Sequence, residues 1–300
     1  MTIPYHIPVM TEESIQGLNL FPGAQVVDAT YGGGGHSRLI LEKIGSGKLF
    51  AFDQDENAAG NIVKDDRLFF IRHNFRYLKN FLRYFDAGQV DAVFADLGVS
   101  SHDFDVAERG FSFRFDEKLD MRMNRNSKID AAQVINQYTE EQLLSVFRLY
   151  GEIRNARQLV SEIIRARAEQ PFKSTGQLKE IASKCAFPRY ETKYLAQVFQ
   201  ALRIEVNDEM EALREFLTAA LDVLKPGGRL AVITYHSLED RMCKNFMNSG
   251  NFEGKIEKDF YGNVKSPFQL INRKVIVPGQ KEIEKNVRAR SAKLRIAEKI

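Results

Sequence analysis

The sequence predicts an α/β protein in which an open, mostly parallel sheet carries helices on both faces and is interrupted by an inserted helical domain. Three observations predict this fold. Short apolar runs alternate with helix-length segments near the N-terminus, the pattern of a parallel sheet with crossover helices. A glycine-rich turn, 32–35, follows the first apolar run. The interval from Asp96 to Arg229 has a mostly helical pattern and is far too long for one crossover helix.

The predicted strands are continuous apolar runs rather than alternating ones, which favours a sheet covered on both faces. They are AQVVDAT (24–30), KLFAFDQD (48–55), RLFFIRHNF (67–75), VDAVFADLGVSS (90–101) and RLAVITYHS (229–237), the last after an LKPGG turn at 224–228. Two C-terminal segments, KVIVPG (274–279) and SAKLRIAEK (291–299), are candidates for the last strands.

The helical interval begins clearly at a capping box, in which Thr139 precedes Gln142 by three residues. Further helices are predicted over 153–169, 175–186 and 192–223, with breaks at Pro171 and Pro188. We therefore predict a core domain of residues 1–104 and 206–300, and an inserted helical domain of residues 105–205.

Composition favours a cytoplasmic protein that does not enter a membrane. The chain has 44% hydrophobic and 28% charged residues, no apolar run that would cross a bilayer and no secretory signal pattern. Its two cysteines, Cys185 and Cys243, lie far apart, which fits a reducing compartment. The five histidines lack metal-ligand spacing, so no metal site is predicted.

Positive charge is concentrated in two places although the net charge is only +3. Residues 148–203 contain 11 basic and 5 acidic side chains, and residues 285–300 contain six and one. Such local surfaces favour an anionic partner, and solvated helix faces explain them about as well.

The stretch DATYGGGGHSRLI (28–40) favours one ligand class over two others. A phosphate-binding P-loop requires lysine and then serine or threonine after the last glycine, where this chain has His36 and Ser37. A dinucleotide fingerprint requires a third glycine at 37 or 38. The spacing Asp28-x-x-x-Gly32-x-Gly34 instead fits the S-adenosylmethionine loop of Rossmann-like methyltransferases, with Thr30 at the usual first glycine.

Acidic residues after the other strands complete this interpretation. Asp53 lies 21 residues after Gly32 and is the expected partner of the ribose hydroxyls, with Asp55 as a rival. Asp28 or Asp96 would hold the ammonium group of the cofactor. A purely structural turn with surface acids is the alternative.

The chain as a whole resembles the bacterial small-subunit ribosomal RNA (cytosine 4-amino) methyltransferases of the RsmH/MraW type. The matching motifs are HIPVMTEES (6–14), DATYGGGGHSRLIL (28–41), DLGVSS (96–101), AERGFSF (107–113), LDMRM (119–123), YGE (150–152), FQALRIEVNDE (199–209), LKPGGRL (224–230), YHSLEDR (235–241) and RARSAKLR (288–295). The resemblance implies a class I methyltransferase core with an inserted helical domain that recognises RNA. It also implies S-adenosyl-L-methionine as cofactor and 16S ribosomal RNA of the small subunit as partner.

The same resemblance implies the cofactor-binding residues. They are Gly34, Gly35 and His36 in the loop, Asp53 at the ribose, Phe75 near the adenine, the fourth-strand acid Asp96, and Asp103. The family usually has glutamine at the position of Asp103, and a carboxylate does not donate the hydrogen bonds of an amide.

The catalytic candidates are Asp96, Tyr235 and His236. Asp96 is the first candidate to accept hydrogen bonds from the cytosine amino group, whose lone pair is otherwise delocalised into the ring. Tyr235 and His236 follow the fifth strand and are candidates to hold the base, with packing and helix capping as alternatives. Methylation at carbon 5 normally requires a cysteine nucleophile, and neither cysteine lies at a loop or strand end of the motifs.

Two other functions remain open at this point. One is methylation of a protein or small molecule, and the other is a ribosome-assembly factor that binds cofactor without turnover. The arginines of the insert, with Arg288, Arg290 and Arg295, are predicted to contact phosphates. The sequence is compatible with a homodimer, and it does not decide between free RNA and the assembled subunit as substrate.

Overall fold

The computed structural model describes residues 8–98, 109–262 and 265–300. The chain forms two compact units. The first runs up to Gly98 and resumes at Met210, and the second ends at Glu209. The predicted boundaries, 104/105 and 205/206, lie a few residues away from these. The helix that ends at Asn207 packs into the core of the second unit, so the division falls after it.

The first unit is built on a seven-stranded sheet. Its strands are β1 Gln25–Asp28, β2 Lys48–Phe52, β3 Leu68–Ile71, β4 Val90–Asp96, β5 Leu224–Thr234, β6 Phe268–Leu270 and β7 Lys293–Lys299. The spatial order is β3-β2-β1-β4-β5-β7-β6. The first five strands are parallel, whereas β7 is antiparallel to both β5 and β6. The predicted α/β class with a mostly parallel sheet is confirmed.

The helices are α1 Thr11–Gly17, α2 Gly35–Lys43, α3 Leu78–Tyr84, α4 Ala131–Gln137, α5 Glu140–Leu149, α6 Ala156–Glu169, α7 Thr175–Cys185, α8 Glu191–Asn207, α9 Glu209–Val223, α10 Ser237–Ser249 and α11 Gln280–Lys285. Successive strand residues face opposite sides of the sheet. Val27 therefore packs in the cluster that includes α3, α9 and α10, while Val26 packs with α1 and α2. Helices thus cover both faces, as predicted.

The second unit is helical and has a core of its own. Helices α4 to α8 bury residues such as Phe147, Leu159 and Leu202 against one another. Thr139 accepts a hydrogen bond from the Gln142 backbone and completes the predicted capping box of α5. Asp130 and Ser174 cap α4 and α7 in the same way. Within the described residues, no helix combines the length and the apolar character that crossing a bilayer requires.

Three local predictions were wrong. The helix predicted over 192–223 is two helices, α8 and α9, because Asp208 adopts a left-handed conformation with φ of 49°. Strand β5 begins at Leu224 and includes the predicted turn, through irregular pairing with β4. The segment 274–279 contributes only a bridge between Ile276 and Leu294, and the short strand β6 was not predicted.

Candidate functional site

The candidate site lies where the strand order of the sheet reverses. Strand β1 is flanked by β2 on one side and β4 on the other, and in open α/β sheets the carboxyl ends of the strands at such a reversal form the usual ligand-binding crevice. Asp28 ends β1 and Asp96 ends β4, while Asp53 follows β2 directly. The parallel register therefore brings the three predicted acids to one edge.

The glycine loop crosses this edge in a conformation that favours glycine. Gly32 and Gly34 have φ of 52° and 72°, in the left-handed region, and Gly34 is the N-cap of α2. A Cβ atom at Gly34 would lie 2.6 Å from the Tyr31 hydroxyl, whereas a Cβ at Gly32 would meet no heavy atom within 4 Å. The loop is thus packed at Gly34 and open at Gly32. At Gly35, a Cβ would lie 2.8 Å from Pro8.

Asp28 is fully buried and holds the start of this loop. Its carboxylate accepts hydrogen bonds from the Thr30 backbone at 3.1 Å and from the Ser37 hydroxyl at 2.6 Å. Burial raises the pKa of Asp28 to about 6. The Thr30 hydroxyl in turn accepts a hydrogen bond from the Asp96 backbone at 2.7 Å. Threonine at the usual first glycine therefore ties the loop to β4.

Asp53 is oriented by the loop that it supports. One carboxylate oxygen accepts from the Gly32 backbone at 2.8 Å and the other from the Asp55 backbone at 2.8 Å. Burial raises the pKa of Asp53 to about 6. Each carboxylate oxygen has a second lone pair, so the group can still accept hydroxyl donors such as those of a ribose.

Asp96 and Tyr235 form the central pair of the crevice. The Tyr235 hydroxyl donates to one Asp96 carboxylate oxygen at 2.8 Å. Burial is the main reason that the pKa of Asp96 is raised to about 7, and the nearby charges of Asp28, Glu239 and Glu282 raise it further. Burial and the carboxylate also raise the pKa of Tyr235. The two catalytic candidates therefore meet through a hydrogen bond.

His36 lies in the first turn of α2, directly after the loop, and the residue is 6% exposed. Its Nε2 atom lies 3.0 Å from the Val9 carbonyl oxygen, and its Nδ1 atom lies 4.0 Å from the second Asp96 carboxylate oxygen. The ring also packs against Phe94, with 4.6 Å between ring centres. These contacts give His36 a structural role, and its predicted contact with the cofactor stays a prediction.

His236 is the N-cap of α10, which was the alternative to a base-holding role. Its Nδ1 atom accepts a hydrogen bond from the Glu239 backbone at 3.4 Å. The Glu239 carboxylate accepts in return from the backbones of Tyr235 at 2.9 Å and His236 at 3.3 Å. Glu239, 3% exposed, thereby fixes the chain at the point where Tyr235 leaves β5.

The remaining predicted cofactor residues are less central or are not described. Phe75 opens a short 3-10 turn after β3, and its ring contacts Phe216 edge to face at 5.1 Å. Its place near an adenine stays a prediction. Asp103 lies outside the described residues.

Three residues that act on the predicted acids were not predicted as site residues: Ser37, Glu239 and Glu282. Glu239 stands three residues after His236, which is capping-box spacing, but histidine is not among the usual N-cap residues. Glu282 accepts a hydrogen bond from the Met10 backbone at 2.6 Å. No local pattern predicts a contact across 272 residues of sequence.

An acid-lined crevice at the switch point of this sheet, reached by a glycine loop at a helix N-terminus, defines a Rossmann-like class I methyltransferase core. Comparisons with known proteins narrow the class. The profile of the MraW methylase family matches residues 4–300. The chain belongs to the MraW methylase family.

Relatives match the chain from end to end. A protein of Bacteroides thetaiotaomicron named ribosomal RNA small subunit methyltransferase H is 59% identical over 99% of this chain and 98% of its own length. Proteins of the same name from Bacteroides fragilis and Flavobacterium johnsoniae are 60% and 53% identical, over 98% and 100% of this chain and 97% and 99% of their own. A solved rRNA methylase from Streptococcus thermophilus aligns over 98% of both chains with 13% identity and a TM-score of 0.45. At that score it adds nothing to the family assignment.

Proposed function

We propose that this chain is a cytoplasmic, S-adenosylmethionine-dependent methyltransferase that modifies the exocyclic 4-amino group of a cytosine in the decoding region of 16S ribosomal RNA. The observation that carries the proposal is the partly buried, hydrogen-bonded Asp96–Tyr235 pair at the switch point of the sheet. It lies in a chain whose relatives, matched end to end, are named ribosomal RNA small subunit methyltransferase H.

The residues of the crevice fit S-adenosylmethionine. When bound, this cofactor supplies an electrophilic methyl group on a sulfonium, and it carries an ammonium and a ribose. Asp28 offers a buried carboxylate for positive charge and Asp96 a largely buried one, and burial without a cation raises the pKa of each. Asp53 offers acceptors for ribose hydroxyls, and the open side of Gly32 leaves room beside the backbone.

The protein's own contribution to the reaction is hydrogen bonding and orientation. A cytosine amino group is a weak nucleophile because its lone pair is delocalised into the ring. An ionised Asp96 that accepts a hydrogen bond from this amino group would help to localise the lone pair on nitrogen. Tyr235 holds one Asp96 oxygen at 2.8 Å. The other oxygen, 4.0 Å from His36 Nδ1, is the one proposed to accept the hydrogen bond from the substrate amine. Asp96 is the proposed catalytic residue, and Tyr235 positions it.

The cysteines favour amine methylation over methylation at carbon 5. Cys185 and Cys243 are both buried and free of disulfides, and burial raises the pKa of each thiol. Cys243 lies in the core beneath the sheet and Cys185 in the core of the second unit. A thiol that is buried and protonated is a poor nucleophile. Neither cysteine is therefore suited to attack the pyrimidine ring, the step that activates carbon 5 for methylation.

The cofactor part of the proposal is tested at Asp53. The Asp53→Asn variant should bind S-adenosylmethionine about ten- to a hundredfold more weakly, because charge-assisted hydrogen bonds to the ribose are lost. Isothermal titration calorimetry measures this directly. Asp55→Asn is the matched control, since Asp55 is the rival acid, and it should bind normally. Equal losses in both variants, or none in Asp53→Asn, would refute the ribose assignment.

The substrate part is tested by transfer of a labelled methyl group. Small ribosomal subunits that lack the modification should accept label in their 16S RNA, and an Asp96→Ala variant should transfer at least about a hundredfold more slowly. Label that enters a protein or a small molecule in place of RNA would contradict the proposal. Cofactor binding without transfer to either subunits or free RNA would favour the assembly-factor alternative. Comparing free RNA with subunits in the same assay also identifies the form that the enzyme uses.

A further inference from the structure

An exposed aromatic turn joins α7 to α8 in the second unit. Phe187 is 78% exposed and Tyr190 is 57% exposed, whereas aromatic side chains usually contribute their large area to a core or an interface. Within the described part of the chain, neither ring makes a ring–ring contact. Each ring therefore offers a free face to a partner.

The turn holds the two rings in a preformed arrangement. Residues Pro188–Tyr190 form a 3-10 turn, and the Tyr190 backbone donates a hydrogen bond to the Phe187 carbonyl at 2.8 Å. Pro188 fixes its own φ and so reduces the freedom of the turn. The Arg189 guanidinium lies 5.7 Å from the centre of the Tyr190 ring. Little ordering of this segment is needed when a partner binds.

Unpaired positive charge lies at the same end of this unit. The Asn155 side chain donates a hydrogen bond to the Cys185 carbonyl at 2.9 Å, which places the beginning of α6 beside the end of α7. Arg154 and Arg157 flank Asn155 and are exposed, and neither forms an ion pair with any residue that the structure describes. In residues 152–157 and 184–193 the charged side chains are Arg154, Arg157, Lys184, Arg189 and Lys193, against Glu152 and Glu191. Lys184 pairs with Glu180 at 2.8 Å.

We propose that the turn of Phe187 and Tyr190 is a stacking site for unpaired bases of RNA, and that Arg154 and Arg157 contact the adjoining phosphates. This inference rests on the proposed function, which makes RNA the partner. Aromatic faces stack on any base, and basic side chains follow the phosphate backbone. An apolar protein partner would use the rings but not the free arginines, so the combination favours RNA.

The predicted phosphate contact of Arg295 has less support. Arg295 lies on β7 and its guanidinium binds Asp240 at 2.7 Å, next to Lys293, which binds the same carboxylate. A phosphate would have to compete with that ion pair. The insert is therefore the better place to test for RNA contacts.

The test uses the full-length protein with single and double Phe187→Ala and Tyr190→Ala variants. The probe is a single-stranded RNA of the decoding-region sequence that carries 2-aminopurine, whose fluorescence falls on stacking. Each variant should bind the probe about tenfold more weakly and lose part of the quenching, while calorimetric binding of S-adenosylmethionine is unchanged. Tyr84→Ala, which removes an 80% exposed ring from the first unit, is the matched control. A double variant that binds and quenches like this control would overturn the proposal.

Two further variants separate stacking from folding. Phe187→Leu keeps an apolar side chain without an aromatic face and should bind as weakly as Phe187→Ala, whereas Phe187→Trp should bind at least as tightly as the unchanged chain. Normal binding by Phe187→Leu would also overturn the proposal. If the double variant methylates subunits with an unchanged KM, the proposed stacking site is refuted and the proposed enzymatic function still stands. If the protein shows no transfer activity but quenching still depends on the turn, the enzymatic function is refuted and the stacking site still stands.

Discussion

At the scale of single residues, Asp96 is the acid of the crevice whose pKa is raised the most. Its backbone is bound by Thr30 and its carboxylate by Tyr235. Its pKa is raised to about 7, chiefly by burial. In the absence of a cation, the acid is therefore partly protonated near neutral pH. A bound cationic cofactor would favour the ionised form that accepts hydrogen bonds.

Replacing this acid should change how stability depends on pH. The unfolded pKa of aspartate is about 3.9 and the folded pKa is about 7. The contribution of Asp96 to stability is therefore fully present below about pH 4 and is lost as pH rises towards 7. Asp96→Asn has no such loss, so its free energy of unfolding relative to the unchanged chain should rise by about 1–4 kcal/mol between pH 4.5 and pH 8. Urea unfolding of the cofactor-free protein at the two pH values measures this.

A control of opposite sign is available on the surface. Arg67 lowers the pKa of Asp65 to about 2, so the contribution of Asp65 is present at neutral pH and is lost as pH falls. Asp65→Asn should therefore not gain stability relative to the unchanged chain as pH rises. An Asp96→Asn difference that is the same at both pH values would contradict the buried-acid interpretation.

The Tyr235 hydroxyl should set the pH at which the enzyme becomes active. It donates a hydrogen bond to the Asp96 carboxylate, which stabilises the ionised form. In Tyr235→Phe that bond is lost, and the pKa of Asp96 should rise by about 1–2 units. The acidic limb of kcat/KM against pH, which reports the free enzyme, should move up by the same amount. An unmoved limb would mean that Asp96 is not the group whose ionisation limits activity.

The sequence predicted the positions of some site residues but not the contacts that they make. Asp53 and Asp96 follow from strand ends and spacing, since parallel strands bring their carboxyl ends to one edge. The Asp96–Tyr235 hydrogen bond depends on the register between β4 and β5, which the sequence did not specify. The same holds for His36, because its partner Val9 lies 27 residues away in a segment with no strand or helix signal.

At the scale of elements, the turn from β1 to α2 combines two requirements in one loop. Gly34 must be small because Tyr31 lies against it, and the Tyr31 hydroxyl donates to the Asn61 carbonyl and accepts from the Val63 backbone. Gly32 has no close neighbour. Glycine is favoured there by the left-handed backbone conformation and by the space that it leaves for a ligand. Gly34 therefore serves packing inside the loop, and Gly32 serves access of a ligand to the backbone.

Alanine at these two positions should have different effects. Gly34→Ala should lower the free energy of unfolding by about 2–4 kcal/mol, from left-handed strain and displacement of the Tyr31 hydroxyl. Gly32→Ala should cost about 1–2 kcal/mol from strain alone, and should weaken cofactor binding because the new methyl group enters the open side. Chemical unfolding and calorimetry distinguish the two. Equal stability losses with normal cofactor binding in Gly32→Ala would contradict this division.

Helices with strong end signals were predicted better than strands with irregular pairing. The capping box at Thr139 is local in sequence, so its helix start was predicted correctly. The start of β5 depends on pairing with β4 across more than a hundred residues, where Lys225 also binds Asp91 at 2.7 Å. The break at Asp208 was missed because aspartate is only an occasional left-handed residue.

At the scale of the whole molecule, two units divide the work that the proposed function requires. The first unit holds the acid-lined crevice. The second carries exposed rings on the turn between α7 and α8 and, at the beginning of α6, two arginines that pair with no described acid. The long helical interval after Asp96 was the basis for predicting an inserted domain, and its RNA-recognition role stays a prediction. The identity of the methylated atom depends on the substrate pose, which neither composition nor the sheet topology specifies.

The most direct measurement is the identity of the methylated nucleoside. Small subunits that lack the mark are incubated with labelled S-adenosylmethionine and this protein, and the 16S RNA is digested and analysed by mass spectrometry. We expect one methyl group on the exocyclic 4-amino nitrogen of a decoding-region cytosine, formed at least about a hundredfold more slowly with Asp96→Ala. A methyl group on carbon 5, on ribose or on a ribosomal protein would contradict the proposed function.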